Sequence, residues 1–419
     1  VVVSRGQLRD PWFALALAAC VAACTGNSGS PDAGTAASAS GGQSGSAGGT
    51  GGSNASGSGG TSGGSGGQGS SGTGGSGARD ASMPMTMTPD AALADAGATA
   101  DAGAADDDER CDVGVLDPDR APAALMLSGD LGTHDPVVIA AHGQFYEFQT
   151  GDRIPTKTST DLRAWKSGPR AFDQKPSWIA QQVPGATDLW APDVSFFGGV
   201  YHLYYSASTF SSNHSCIGHA TRAALDEGSW IDHGAVICSN AGGVKEDWNA
   251  IDPNVIVDRD GTPWLAFGSF WSGLKLIELT ADGLRAIGAM HAIATRKEAD
   301  GAIEAPYLVR RCGYYYLFAS FDTCCSGTNS TYNVRVGRAQ AITGPYVDRD
   351  GKAMLDGGGT FVVQGAGRWH GPGHSAVIFA GGAWFNVYHA YDANQNGASM
   401  LRVSELAFDS EGWPVSGGP

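Results

Sequence analysis

Four acidic residues stand beside prolines at the heads of apolar runs: Asp135-Pro136, Pro192-Asp193, Asp252-Pro253 and Glu304-Ala305-Pro306. Taken singly, an acid next to proline is an ordinary turn residue at a strand end. Carboxylates gathered in one place are another matter, because they repel and raise one another's pKa, and that arrangement is costly unless it does chemical work. Hydrolysis of a glycosidic bond is work of this kind. One protonated carboxyl supplies a proton to the leaving oxygen, and a second, ionised carboxylate activates water or attacks the sugar. A third acid nearby can hold the proton donor's pKa up while helping to position it.

The elements that must position these acids form an internal repeat. A polar residue near a proline leads into an apolar strand, a short glycine turn and a strand dense in aromatics. Asp135-Pro136-Val137-Val138-Ile139 runs through Gly143 to Phe145-Tyr146-Glu147-Phe148, and Pro192-Asp193-Val194 runs through Gly198-Gly199 to Tyr201-His202-Leu203-Tyr204-Tyr205. Asp252-Pro253-Asn254-Val255 runs through Asp260-Gly261 to Trp264-Leu265-Ala266-Phe267. Glu304-Ala305-Pro306-Tyr307 and Gly373-His374-Ser375-Ala376 begin two further copies. The five copies start roughly 50 to 70 residues apart, the period of a propeller or solenoid whose unit is a small sheet. β-branched residues with alternation mark strands, and Gly-Gly or Asp-Gly marks tight hairpins. Extra strands such as Ser215–Ala220 and Tyr332–Gly337 make four strands per unit reasonable. The expectation is an all-β, five-bladed β-propeller over residues 111–419, with an acid at the start of the innermost strand in four copies, ringing one central channel. A two-sheet sandwich is the alternative that the strand pattern leaves open.

Three of these stretches, His134-Asp135-Pro136, Ala250-Ile251-Asp252-Pro253-Asn254 and Ile303-Glu304-Ala305-Pro306-Tyr307, resemble the catalytic motifs of glycoside hydrolase family 43. The resemblance runs from about Gly132 to the C-terminus and is nearest to endo-acting α-1,5-L-arabinanases, through Leu189–Asp193, Asn249–Val255 and Phe267–Gly273. It implies an inverting hydrolase of arabinan or arabino-oligosaccharides, with Asp135 as general base, Glu304 as general acid and Asp252 tuning and orienting Glu304. An inverting pair stands about 6.5–9.5 Å apart, leaving room for the attacking water. Asp193 receives no catalytic role and reads as structural. By the same resemblance Trp190 and Phe210 are platforms for furanose rings, and Asn249, Ser269 and Phe270 fall in substrate-contacting stretches. Core packing is the plain alternative for the two aromatics. His374 matches a histidine that contacts a hydrated metal, usually read as calcium, in the channel; the residues alone read as a hydrogen-bonded core histidine, since calcium prefers oxygen ligands. No organic cofactor is expected.

The first quarter of the chain has a different character. Residues 1–24 carry Arg5 and Arg9, then the apolar run Trp12–Ala19, the layout of an export signal too short to span a membrane. Leu17-Ala18-Ala19-Cys20 and Val21-Ala22-Ala23-Cys24 both resemble a bacterial lipobox; Cys24 is the expected lipidated residue, Cys20 fits the leucine preference better, and a plain secretory signal is the alternative. Residues 25–110 begin as Gly, Ser, Ala and Thr with little to bury, then turn acidic between Arg79 and Arg110, and read as a disordered tether. Six of the sixteen net negative charges lie in that acidic stretch, and the acidic remainder argues against nucleic acid as a partner. The expected product is an exported monomer, lipid-anchored at the bacterial cell surface or extracellular, touching the membrane through its anchor alone.

Six cysteines remain beyond Cys24, an even number in a chain bound for an oxidising compartment. Cys216 with Cys238 fits across one hairpin. The neighbours Cys324 and Cys325 either bridge each other or divide between Cys111 and Cys312. No Cys/His spacing points to zinc.

Two rival functions follow from the same residues. An exo-acting arabinofuranosidase or β-xylosidase shares the catalytic trio, although the stretch Phe267–Gly273 favours an arabinanase. A non-catalytic sugar-binding propeller would have no need to keep three mutually repelling acids.

Overall fold

The computed structural model describes residues 111–419. The expected export signal, the lipobox-like Cys20 and Cys24 and the expected tether fall outside the described residues. Twenty-one strands form five sheets. The first sheet carries β1 (Ser128–Gly129), β2 (Val137–Ala141), β3 (Gln144–Phe148), β4 (Thr156–Ser159) and β5 (Ala164–Ser167), with β1 paired in parallel to the outer strand β5. The second holds β6 (Trp190–Phe197), β7 (Val200–Ala207), β8 (Ser215–Arg222) and β9 (Ile231–Ser239), and the third β10 (Asn254–Val257), β11 (Pro263–Phe267), β12 (Leu274–Leu279) and β13 (Ala286–Ala294). The fourth holds β14 (Ile303–Arg311), β15 (Tyr314–Phe321), β16 (Asn333–Ala339) and β17 (Thr360–Val363), and the fifth β18 (Trp369–Ala380), β19 (Ala383–Asp392), β20 (Ala398–Phe408) and β21 (Pro414–Ser416). Each is an antiparallel meander, apart from the added β1.

The innermost strands touch in a closed circle, β2 to β6, β6 to β10, β10 to β14, β14 to β18 and β18 back to β2. This is a five-bladed propeller and excludes the sandwich. The ring is sealed by the stretches flanking β1, where Val115 and Ala124 before it bridge to Phe408 and Ser404, and Gly132 after it to Met400, all on β20 of the last blade.

Turn chemistry sets the blades. Four inner hairpins are two-residue turns with both φ angles positive: His142-Gly143, Gly198-Gly199, Cys312-Gly313 and Gly381-Gly382. That geometry matches the right-handed twist of the flanking strands. The third blade differs from expectation, because Asp260-Gly261 sits in a longer loop closed by Asp258 N–H and O against Thr262 and Gly261, so it is not a tight hairpin.

Strands next to the innermost ones are covered on both faces. In β7, Leu203, Tyr204, Tyr205 and Ala207 are all fully buried, because blades stack face to face and the apolar clusters lie between neighbouring blades. Such strands read as continuous apolar runs instead of alternating ones. Cys216 and Cys238 stand directly opposite each other on β8 and β9 and are bridged. Of the three arrangements open to the other four, the chain adopts Cys111–Cys312 with the vicinal Cys324–Cys325.

Candidate active site

Every innermost strand enters the ring through one residue with left-handed backbone: Asp135 (φ 50°), Ala191 (φ 44°), Asp252 (φ 57°), Ala305 (φ 53°) and His374 (φ 54°). Four of the five precede proline, the exception being His374. Positive φ is uncommon outside glycine and persists only where the surroundings fix it. Here each N–H at the kink is caught by a side chain of the preceding blade. Asp135 N–H donates to His389 Nδ1 (3.1 Å), Ala191 N–H to Thr150 Oγ1 (2.7 Å), Asp252 N–H to Ser206 Oγ (3.0 Å), Ala305 N–H to Asp252 Oδ2 (3.1 Å) and His374 N–H to Ser320 Oγ (2.8 Å).

This register corrects the sequence reading of four equivalent acids. Asp135 and Asp252 occupy the kink, Glu304 stands one residue before it, and Asp193 lies two residues after it, level with Asn254. Asp193 is spent on the neighbouring blade, accepting from Asn254 Nδ2 (3.1 Å) and Val255 N–H (2.9 Å), while Asn254 Oδ1 accepts from Leu308 N–H (2.8 Å). Burial pushes the Asp193 carboxyl up to about 6, against those hydrogen bonds.

The three remaining carboxyl groups face different surroundings. Asp135 accepts from Thr150 Oγ1 at 2.6 Å and pairs with His134 Nδ1 at 2.9 Å and His374 Nδ1 at 3.1 Å. Burial opposes its ionisation, but the two imidazoles prevail and hold it well below the usual carboxylate range. Glu304 accepts from Ser269 Oγ at 2.6 Å and from Tyr332 Oη at 2.5 Å. Desolvation outweighs these donors, and repulsion from Asp135 adds to it, so Glu304 is raised. Asp252 is raised well above its ordinary value by burial and by repulsion from Glu304 and Asp135, against the attraction of His374. Buried like charges resist ionising together, so Asp252 and Glu304 are both displaced toward their protonated forms while Asp135 is displaced toward its ionised one. Pairs of acids whose environments drive their pKa values apart are the mark of acid–base catalysis.

One cleft of about 620 Å³ is lined by Asp135, Asp252, Glu304, Trp190, Phe210, Asn249, Ser269, Phe270 and His374, which brings together every site residue expected from the sequence. Phe210 is 47% exposed and meets Trp190 edge-on, with ring centroids 6.1 Å apart, so it is not core. Asn249 is buried and its Oδ1 has no protein partner, an acceptor of the kind that a sugar hydroxyl satisfies. Ser269 is committed to Glu304 within the protein. Thr150, Trp271, Tyr332 and the Cys324–Cys325 bridge also line the cleft and were not singled out from sequence. Trp271 falls within Phe267–Gly273 and the Cys-Cys dipeptide is plain in the sequence; nothing in the local sequence marks Tyr332 or Thr150 as site residues.

A metal at His374 can be weighed against the donors present. His374 Nδ1 faces Asp135 Oδ1, the carboxylate–imidazole pairing that orients a metal-ligating histidine through its other nitrogen. Among the described residues, groups of three or more ligating side chains are His134 with Cys324 and Cys325, whose sulfurs are joined to each other, and His134 with Asp135 and His389. Neither includes His374. The donors therefore fit one imidazole contact to a cation carrying its own water, and not an oxygen cage.

The profile of glycosyl hydrolases family 43 matches residues 129–414. The chain is 43% identical over 286 residues to the extracellular endo-alpha-(1->5)-L-arabinanase 1 of Bacillus subtilis (strain 168), covering 67% of this chain and 86% of that protein. It is 40% identical over 297 residues to an extracellular exo-alpha-(1->5)-L-arabinofuranosidase of Cellvibrio japonicus (strain Ueda107), covering 67% and 85%. The solved GH43 endo-arabinanase of Bacillus licheniformis superposes with a TM-score of 0.66 at 44% identity, over 70% of this chain and 99% of that one.

Proposed function

The chain belongs to glycoside hydrolase family 43, and from that premise we propose that it is an endo-α-1,5-L-arabinanase that acts with inversion of configuration. The observation that carries the mechanism is the opposed ionisation around one cleft: Asp135 held ionised between His134 and His374, Glu304 held toward its protonated form. Asp135 takes a proton from the attacking water, and Glu304 gives its proton to the leaving furanose oxygen. Asp252, when ionised, repels charge on Glu304, and it fixes the backbone beside that acid through Ala305 N–H. Ser269 and Tyr332 orient the Glu304 carboxyl. Trp190, Phe210 and Phe270 offer ring faces to the apolar sides of arabinofuranose, and Asn249 Oδ1 accepts from a hydroxyl.

His374 would hold a hydrated cation, calcium by family resemblance, which when bound supplies positive charge beside Asp135. Chelator treatment of the wild-type protein tests this, and unchanged activity together with unchanged Tm sinks it. The names of extracellular relatives support export; the finer reading, lipidation at Cys24 of a monomer, is checked by palmitate labelling of wild type against Cys24→Ser and by solution mass.

Digestion of debranched arabinan by the full chain tests the activity. An early ladder of arabino-oligosaccharides is expected. Arabinose alone identifies the exo-acting reading, xylose from xylan a β-xylosidase, and intact polysaccharide throughout a binding propeller. Retention of anomeric configuration overturns the assignment of Asp135 as base.

A further inference from the structure

Behind Asp135 lies a run of hydrogen bonds that reaches the vicinal disulfide. Cys325 N–H donates to Tyr391 Oη at 2.8 Å, and Tyr391 Oη lies 2.9 Å from His134 Nε2. His134 Nδ1 lies 2.9 Å from Asp135 Oδ2. The ring of His134 is held flat against His389, with centroids 4.1 Å apart and planes 23° from parallel. Tyr391 and His389 are buried, and both come from β19 of the last blade, whereas Asp135 begins the first.

We propose that Tyr391 and the Cys324–Cys325 turn are positioning residues for Asp135, acting through His134 by fixing which of its nitrogens carries the proton. The Tyr391 oxygen accepts from Cys325 N–H, which turns the phenol's own proton toward His134 Nε2. That nitrogen is then the acceptor, so the ring proton sits on Nδ1 and is donated to Asp135 Oδ2. One oxygen of Asp135 is thus bonded by His134 and Thr150 and the other faces His374. The carboxylate is left a single orientation toward water in the cleft. The disulfide enters through covalent topology: it closes a small ring containing the peptide between Cys324 and Cys325, and the N–H of that peptide is the one given to Tyr391. Cys325 also takes left-handed backbone (φ 63°), which this ring helps to fix.

The proposal rests on Asp135 being the general base of arabinan hydrolysis, and two readouts keep the two ideas apart. The first is the histidine tautomer, read by long-range ¹⁵N–¹H correlation on protein labelled at histidine, assigned with His134→Gln. Wild type is expected to show His134 protonated at Nδ1, and Tyr391→Phe to lose that preference. The second is kinetics on linear arabinan with Tyr391→Phe, with Cys324→Ser/Cys325→Ser, and with the three changes combined. Tyr391→Phe should lower kcat about tenfold or more with KM within about twofold. The disulfide variant should lower kcat as well, and the combination should fall no further than the worse of its parents, since all act through one chain of contacts. An Nε2-protonated His134 in wild type, additive losses, or an effect confined to KM overturns the proposal. Absence of arabinan hydrolysis in wild type instead defeats the functional reading, while the tautomer measurement still decides the relay.

Discussion

Asp252 Oδ2 accepts the backbone N–H of Ala305, one residue beyond Glu304, at 3.1 Å. The other four blades make the same junction with a hydroxyl or an imidazole. At the one junction beside Glu304, the latch is an acid. A single side chain thereby fixes the backbone beside Glu304 and sets a second ionisable carboxyl against it.

Asp252→Asn separates those two effects, because the amide oxygen still accepts from Ala305 N–H while the side chain can no longer ionise against Glu304. Removing a like charge lowers the proton affinity of Glu304, so the alkaline limb of the kcat–pH profile should move to lower pH. We expect retained fold and a loss in kcat of about 10²-fold. An alkaline limb in its wild-type place would show that Asp252 does not tune Glu304.

Glu304→Gln keeps the size of the side chain but has no proton to give. Its kcat on arabinan should fall by about 10²–10⁴, with a smaller loss on an aryl arabinofuranoside whose leaving group needs little protonation. Steady-state kinetics on the two substrates checks this. Equal losses on both would argue that Glu304 positions substrate and is not the acid.

In the first blade Lys157 and Glu147 are both buried, with Nζ 3.4 Å from Oε2 and Lys157 also donating to Gly132 O and Gln149 Oε1 at 2.7 Å. Burial raises Glu147 against the attraction of Lys157. Lys157→Met strands the acid and should cost about 3–5 kcal/mol in denaturant unfolding, whereas adding Glu147→Gln should recover part of it. A loss under 1 kcal/mol, on the order of an exposed pair, would refute this.

His202 Nδ1 and His219 Nε2 are 2.9 Å apart in the second blade, and His202 Nε2 donates to Phe197 O at 3.1 Å. Desolvation lowers these rings to about 4 and about 3 from an ordinary 6.5. Both are therefore neutral when folded, and below pH 6.5 the unfolded chain takes up protons that the folded one refuses. Stability should fall as pH drops from 6.5 toward 4, by at most about 1.4 kcal/mol per pH unit for each histidine. Thermal melts across that range check the slope, which His219→Gln should flatten.

Cys111–Cys312 ties the start of the described chain to the inner hairpin of the fourth blade, across a sequence separation of 201. Cys111→Ser should lower stability by about 2–5 kcal/mol and leave kcat at low temperature unchanged, since the bridge is absent from the cleft lining. Unfolding in denaturant with parallel assays measures both.

Much of this protein is written locally. Strand character, the glycine turns and the five-fold recurrence of the inner hairpin are properties of short stretches, and they sufficed for the propeller. The three motifs were legible because each acid stands at or one residue before a kink residue followed by proline, Asp135, Asp252 and Ala305. Other features belong to contacts between blades. Whether an acid points to the channel or across to a neighbour depends on a register shift of one or two residues, which is why Asp193 looked like Asp252 in the sequence yet bonds Asn254 and Val255. The choice among three pairings for Cys111, Cys312, Cys324 and Cys325 required knowing which turns meet. Tyr391 reaches from the last blade to His134 of the first, and Tyr332 reaches Glu304 from the far side of its own blade, 28 residues on; neither reach leaves a periodic mark in the chain. Local sequence determined the elements and the acids; the ionisation of those acids was decided by burial and by neighbours that only ring closure brings together.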